Sequence, residues 1–150
     1  MKIVSLIPAR KGSKGIKNKN LIDLCGKPLI YYSIQASINS LVEETWVSSD
    51  SDEILKTSKQ LGSKTIKRPK NLSKDKSTSE SALIHFAKNI DFDILVFIQC
   101  TVPLIKSNDI NKGIKKMKNY DSVVSVTETN QMFWNLNGPL YDINNRSRRQ

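Results

Sequence analysis

Cysteine is scarce. Only Cys25 and Cys100 occur in 150 residues, far apart and in no C-x-x-C pair, which excludes a disulfide framework and gives no support to a zinc site. That usage suits a reducing, cytoplasmic setting. Long apolar runs are also missing, since no stretch approaches the roughly 20 residues that span a bilayer. The opening Lys2-Ile3-Val4-Ser5-Leu6-Ile7 is cut by Pro8 and followed at once by Arg10 and Lys11, so it reads as a first strand rather than a signal peptide. Aromatic residues make up 7% and none interleaves with the basic N-terminal loop, which argues against a stacking platform for single-stranded nucleic acid. The one histidine, His85, falls on a helical face and reads as a packing or surface residue.

Acidic residues are few as well, 14 against 24 Lys plus Arg, for a formal charge of +10. Such an excess favours a polyanionic partner, either nucleotide phosphates or a nucleic acid. Biased genome base composition is the plainer source of part of it, because the chain is also rich in Asn and Ile. The length allows one domain with a core that needs no staples.

Along the chain, helical and strand patterns alternate. Ile3 to Ile7 suits a strand buried on both faces, and a polar, Gly- and Lys-rich loop follows to about Asn20. Pro28 suits a first helical position, with Ile30, Ile34, Ile38 and Leu41 recurring on one helical face. Thr45-Trp46-Val47 reads as a second strand, and Asp52 and Glu53 suit the first turn of the helix after it. Ser63 to Lys67 forms a short third strand. Ser77-Thr78-Ser79-Glu80 matches a capping box with Ser77 as the cap. Ile94 to Ile98 is a continuous apolar run of the kind that lies centrally in a parallel sheet. Ser107 caps a helix carrying Ile110, Ile114 and Met117, and Ser122 to Val126 supplies a further strand. This alternation predicts a doubly wound α/β unit.

In open α/β sheets, ligands bind beyond the carboxyl ends of the strands, which singles out three places. The loop Pro8-Ala9-Arg10-Lys11-Gly12-Ser13-Lys14-Gly15 has two glycines that let its backbone approach phosphate among several cations. A solvated basic loop or a nucleic-acid arm has the same composition, and neither a Walker loop nor G-x-G-x-x-G is present. Asp50 stands at a strand end as a helix cap or a substrate contact. Gln99 and Thr101 follow the most apolar strand, where turn hydrogen bonds or a hydroxyl-rich ligand would satisfy them.

Taken together, Ile7-Pro8-Ala9-Arg10-Lys11-Gly12-Ser13-Lys14-Gly15, Lys19-Asn20-Leu21 and Gly26-Lys27-Pro28-Leu29 resemble the acylneuraminate cytidylyltransferases, or CMP-sialic acid synthetases. More loosely they resemble the other sugar nucleotidyltransferases of that fold. Further segments follow in family order: Val47-Ser48-Ser49-Asp50, Arg68-Pro69, Asp75 through Glu80, Gln99 through Leu104, Asp121 through Val126 and Arg148-Arg149-Gln150.

The resemblance implies a Rossmann-like, GT-A-like fold, a mostly parallel sheet flanked by helices and C-terminally incomplete. It also implies attack of a nonulosonic acid's anomeric hydroxyl on the α-phosphorus of CTP, releasing pyrophosphate with Mg2+ present. By matching position, Arg10 and Lys19 hold the triphosphate as catalytic residues, with Ala9 and the backbone near Ser13. Asn20, Arg68, Thr78 and Ser79 surround the cytidine, and Gln99 and Thr101 face the sugar. Cys100 and Val102 depart from the family's usual Pro or Ala and Ser. The magnesium-binding aspartates and much of a homodimer interface are expected beyond this chain, with neither nucleic acid nor membrane as partner. The alternatives are a CMP-Kdo synthetase-like enzyme for an eight-carbon ulosonic acid and a basic nucleic-acid-binding module.

Overall fold

The computed structural model describes residues 1–12, 15–74, 77–127 and 134–139. Strand β1 (Ile3–Pro8) forms from the apolar run that Pro8 stops. A small hairpin, β2 (Asp23–Leu24) and β3 (Lys27–Pro28), follows. It turns through Cys25 and Gly26, whose φ angles of 52° and 80° are the two positive values a type I′ turn requires. Next come α1 (Leu29–Ile38), β4 (Glu44–Ser49), α2 (Asp52–Gln60), β5 (Lys64–Lys67), α3 (Ser79–Ala87), β6 (Ile94–Phe97) and α4 (Ser107–Lys116). A second two-residue hairpin pairs β7 (Trp134–Asn135) with β8 (Gly138–Pro139).

The four longer strands form one parallel sheet in the order β5-β4-β1-β6. Period-two alternation in β1 feeds two cores. Ile7 joins Ile30 and Ile34 of α1, Ile54 of α2 and Ile110 and Ile114 of α4 on one face, while Val4 and Leu6 join Phe86 of α3 on the other. Helices on both faces of a parallel sheet confirm the doubly wound α/β reading.

Between α1 and the sheet runs a seam of buried hydroxyls. Ser37 Oγ lies 2.6 Å from Ser5 Oγ and 2.7 Å from Thr45 Oγ1, so each hydroxyl finds a partner where water has no access. One turn earlier Ser33 Oγ donates to the carbonyl of Gln99 at 3.3 Å. Helix α1 is thereby fastened to the chain just past β6, where one of the predicted sites lies.

Several expectations need correction. The run Ile94 to Ile98 does not lie centrally: β6 takes one end of the described sheet and is only half-buried, whereas β1 is flanked on both sides. An apolar run reports burial on two faces but not the number of strand neighbours. Ser122 to Val126 is not a strand. It pairs with no other described segment, and Val124 and Val126 are exposed, because alternation alone cannot make a strand without a partner edge. Thr78, not Ser77, caps α3, accepting from Ser81 N at 3.3 Å, while Ser77 Oγ instead accepts from Lys74 N. Ser107 is the first residue of α4, and Asp109 reaches back to the Lys106 N–H at 3.1 Å. Pro28 precedes α1 as its N-cap residue.

Candidate functional site

Because every strand of the sheet runs the same way, the carboxyl ends of β1, β4, β5 and β6 share one edge. A cavity of about 480 Å³ opens there. Pro8 at the end of β1 lines it with Arg10, Gly15, Ile16, Lys19 and Asn20 from the segment that follows, and Arg68, Leu72 and Ser73 line it from the end of β5. Ser77, Thr78 and Ser79 at the start of α3 and Phe97, Gln99, Cys100 and Thr101 at the end of β6 complete the wall. A second basic opening adjoins it, lined by Arg10, Lys11, Gly12, Lys17, Asn18, Asp50, Ser73 and Lys74.

Of the ten residues to which the resemblance gives a ligand contact, eight therefore line one cavity: Arg10, Lys19, Asn20, Arg68, Thr78, Ser79, Gln99 and Thr101. Ala9 does not line it. It is fully buried, and its N–H donates to the Ser48 carbonyl at 2.9 Å, setting the direction of the loop. Ser13 lies outside the described residues, as do Asp75, Phe133 and the closing Arg148-Arg149-Gln150.

The loop is closed across its base. Asn20 Nδ2 donates to the Arg10 carbonyl at 2.9 Å, joining the two ends of the basic segment, and Asn18 takes a left-handed φ of 53° to make the bend. Asp50 is not the cap of α2. Ser51 fills that role, accepting from Ile54 N, and Asp50 Oδ1 accepts from Lys11 N at 2.9 Å. Sequence reasoning missed Ser73, whose hydroxyl accepts from Arg68 Nε at 3.0 Å and donates to the Pro69 carbonyl. A serine five residues beyond an arginine carries no signal until a 3-10 turn at Lys70–Leu72 folds it back.

The electrostatics are those of an anion site. Arg68 is only 5% exposed. Burial lowers its pKa, Asp50 opposes that shift and Arg10 adds to it. Two guanidiniums thus share a partly dehydrated space with Lys19 at the wall and one carboxylate nearby, an arrangement that a bound polyanion would relieve. In the same cavity Gln99 and Thr101 supply an amide and a hydroxyl, with Thr101 Oγ1 donating to Gln99 Oε1 at 3.3 Å.

Among the described residues no three His, Cys, Asp or Glu side chains come together to hold a metal ion. Asp50 is already tied to the loop backbone. These residues do not fit a magnesium ion by themselves.

Cys100 lies in the cavity wall with its thiol pushed up to about 12, chiefly by burial, against a small opposing pull from Lys19. An acid whose folded pKa is raised keeps its proton while the unfolded thiol ionises near 8.5, so its stability contribution is intact below that value and is lost as pH climbs towards 12. Thiolate is the reactive form. At pH 8 a chromogenic disulfide reagent should therefore titrate one fast thiol per chain, the exposed Cys25. Cys25→Ser should abolish the fast phase, and two fast equivalents in the unaltered chain would contradict the burial of Cys100.

Residues 4–137 match the family model described as Cytidylyltransferase. The chain is 37% identical over 133 residues to an N-acylneuraminate cytidylyltransferase B of Danio rerio, covering 87% of this chain and 31% of that protein. It is 39% identical over 123 residues to a pseudaminic acid cytidylyltransferase of Campylobacter jejuni, covering 77% and 53%. The match thus spans 31% to 53% of the length of these relatives. Among solved structures, CMP:2-keto-3-deoxy-manno-octonic acid synthetase complexed with CTP superposes with a TM-score of 0.72 at 27% identity, covering 79% of this chain and 48% of that one. A Mycobacterium tuberculosis protein solved with manganese superposes at 0.57 with 10% identity over 77% and 59%, a likeness of fold alone.

Proposed function

Since the chain belongs to the cytidylyltransferase family, we propose that residues 1–150 form the nucleotide-binding domain of an enzyme that joins CMP to a sialic-type acid: CTP + N-acylneuraminate → CMP-N-acylneuraminate + diphosphate. The observation that carries this reading is the one cavity that Arg10, Lys19 and Arg68 line together with Gln99 and Thr101. Cations and neutral hydrogen-bonding groups in one cavity suit a triphosphate beside a polyhydroxylated acid.

The sugar's anomeric oxygen forms a bond to the α-phosphorus while the bond to the bridging oxygen of the leaving pyrophosphate breaks. Arg10 and Lys19 meet the charge that grows on that group, a task of positioning and charge stabilisation. Arg68, Asn20, Thr78 and Ser79 line the part of the cavity assigned to cytidine, the backbone near Ser13 completes the nucleotide contacts, and the buried Ala9 sets the direction of the loop instead of touching the ligand. Gln99 and Thr101 take the sugar. Magnesium alongside the triphosphate, a homodimeric protein and a cytoplasmic setting belong to the same reading. Among the described residues no helix is long and apolar enough to cross a membrane.

A second reading, activation of an eight-carbon ulosonic acid, draws on the CTP-bound octonic acid synthetase, which shares the fold at 27% identity. Both readings require CTP.

Calorimetric titration of the chain with CTP, UTP, ATP and GTP at two salt concentrations is the test. CTP should bind at least about tenfold more tightly than UTP, because a site that pairs a base edge leaves buried groups unsatisfied with the wrong base. Equal binding of all four, together with salt-sensitive binding of a mixed-sequence oligonucleotide, would instead point to a nucleic-acid-binding module.

A further inference from the structure

Three consecutive residues at the end of β4 hold the elements that carry the site's guanidiniums. The Ser48 carbonyl accepts from Ala9 N at 2.9 Å and the Ser49 carbonyl from Arg68 N at 2.8 Å, while Asp50 Oδ1 accepts from Lys11 N at 2.9 Å. Arg10 is thus bracketed, its backbone fixed through residue 9 on one side and residue 11 on the other. The first of these bonds continues β1 and would form in any strand ending there. The bond at Lys11 is made by the Asp50 side chain, and it acts where the loop would otherwise leave the sheet.

The platform under Asp50 is rigid. Ser51 N donates to Ser49 Oγ at 3.0 Å, and Ser51 caps α2, so the carboxylate projects from a turn held at both ends. Asp50 is also the only acidic side chain among the described residues lining the two openings. It therefore stands against the mutual repulsion of Arg10 and Arg68, both of which a triphosphate needs close together.

We propose that Asp50 is the positioning residue of the nucleotide site: by accepting the Lys11 N–H it fixes the loop so that Arg10 meets the phosphates beside Arg68 before the nucleotide arrives. The proposal rests on the reading of the cavity as a CTP site and assigns a role to a side chain that need not touch the ligand. Preorganisation of this kind acts on the phosphates and leaves the base and ribose contacts alone.

The experiment compares the dissociation constants of CTP and of cytidine, which lacks phosphate, in the unaltered chain, in Asp50→Ala and in Asp50→Asn. Asp50→Ala is expected to weaken CTP about tenfold, the scale of one lost hydrogen bond at a site that uses it, and to leave cytidine unchanged. Asp50→Asn keeps an oxygen that can accept from Lys11 N–H and is expected to bind CTP within about threefold of the unaltered chain. Unchanged CTP affinity in Asp50→Ala, parallel weakening of cytidine, or an Asn variant as weak as the Ala variant would each overturn the proposal. So would an Asp50→Ala chain that does not fold beside an Asn variant that folds and binds fully, because the contact would then serve the fold. An unaltered chain that binds no CTP would instead overturn the functional reading on which the proposal stands.

Discussion

Arg10→Ala should weaken CTP binding roughly 150-fold, the equivalent of about 3 kcal/mol, when two charge-assisted hydrogen bonds to phosphate are lost together. Arg10 leaves β1 directly behind the buried Ala9, its carbonyl is held by Asn20 Nδ2, and it lines both basic openings. Arg10→Lys keeps the charge but not the planar fork, so it should fall between, at about a tenfold loss. Arg10 stands close enough to Arg68 to disfavour its charged form, so Arg10→Ala relieves that repulsion while giving up the side chain's own interactions, and the melting temperature records the net. Calorimetry and thermal melts on the same preparations separate the two effects. Unchanged CTP affinity would remove the loop from the nucleotide site, and a large fall in melting temperature would make Arg10 a structural residue.

Phe86→Ala is expected to be the most damaging single change to stability, at about 3–5 kcal/mol, a large share of the 5–15 kcal/mol that holds a typical domain together. Phe86 is the largest fully buried side chain described. It packs against Val4 and Leu6 of the central strand, meets Trp46 edge to face at a centroid distance of 5.8 Å and stacks on Phe92 at 5.9 Å. Truncation leaves a ring-sized void between rigid elements, with little chance to collapse around it. In urea the midpoint should drop sharply with the slope unchanged. Ile84→Ala, two residues earlier on the same helix but half-exposed, should cost less than about 1 kcal/mol. If the two variants cost the same, the packing of α3 described here is wrong. Thr78 and Ser79, at the N-terminal end of α3, line the cavity, so Phe86→Ala should also weaken CTP even where it remains folded.

Much of the site was legible from the amino-acid order because its parts follow apolar runs. The stop at Pro8, the glycines and cations after it and the polar pair Gln99 and Thr101 after β6 all lie where a parallel sheet exposes its carboxyl ends. The long N-terminal signature pointed to the family that the match over residues 4–137 shows. Side-chain partnerships were not legible in the same way. Asp50 read as a cap, yet one residue further on Ser51 offered a hydroxyl with the right reach, leaving the carboxylate for Lys11 N–H. The same one-residue shift moved the cap of α3 from Ser77 to Thr78, since neighbouring hydroxyls compete on nearly equal terms and the local turn decides between them.

Local sequence determined the kind and order of the elements: period-four apolar spacing in Ile30 and Ile34, two-faced apolar strands at Ile3 and Ile94, and the basic loop between the first strand and its helix. Tertiary structure alone decided which strand is central, because strand neighbours depend on distant pairing. It left Ser122 to Val126 unpaired for the same reason, since a strand exists only with a partner edge. It also brought Arg10, Asp50 and Arg68 together from three strand ends. Their separation in the chain carries no information about their distance in space, and the charges of the site act through that distance.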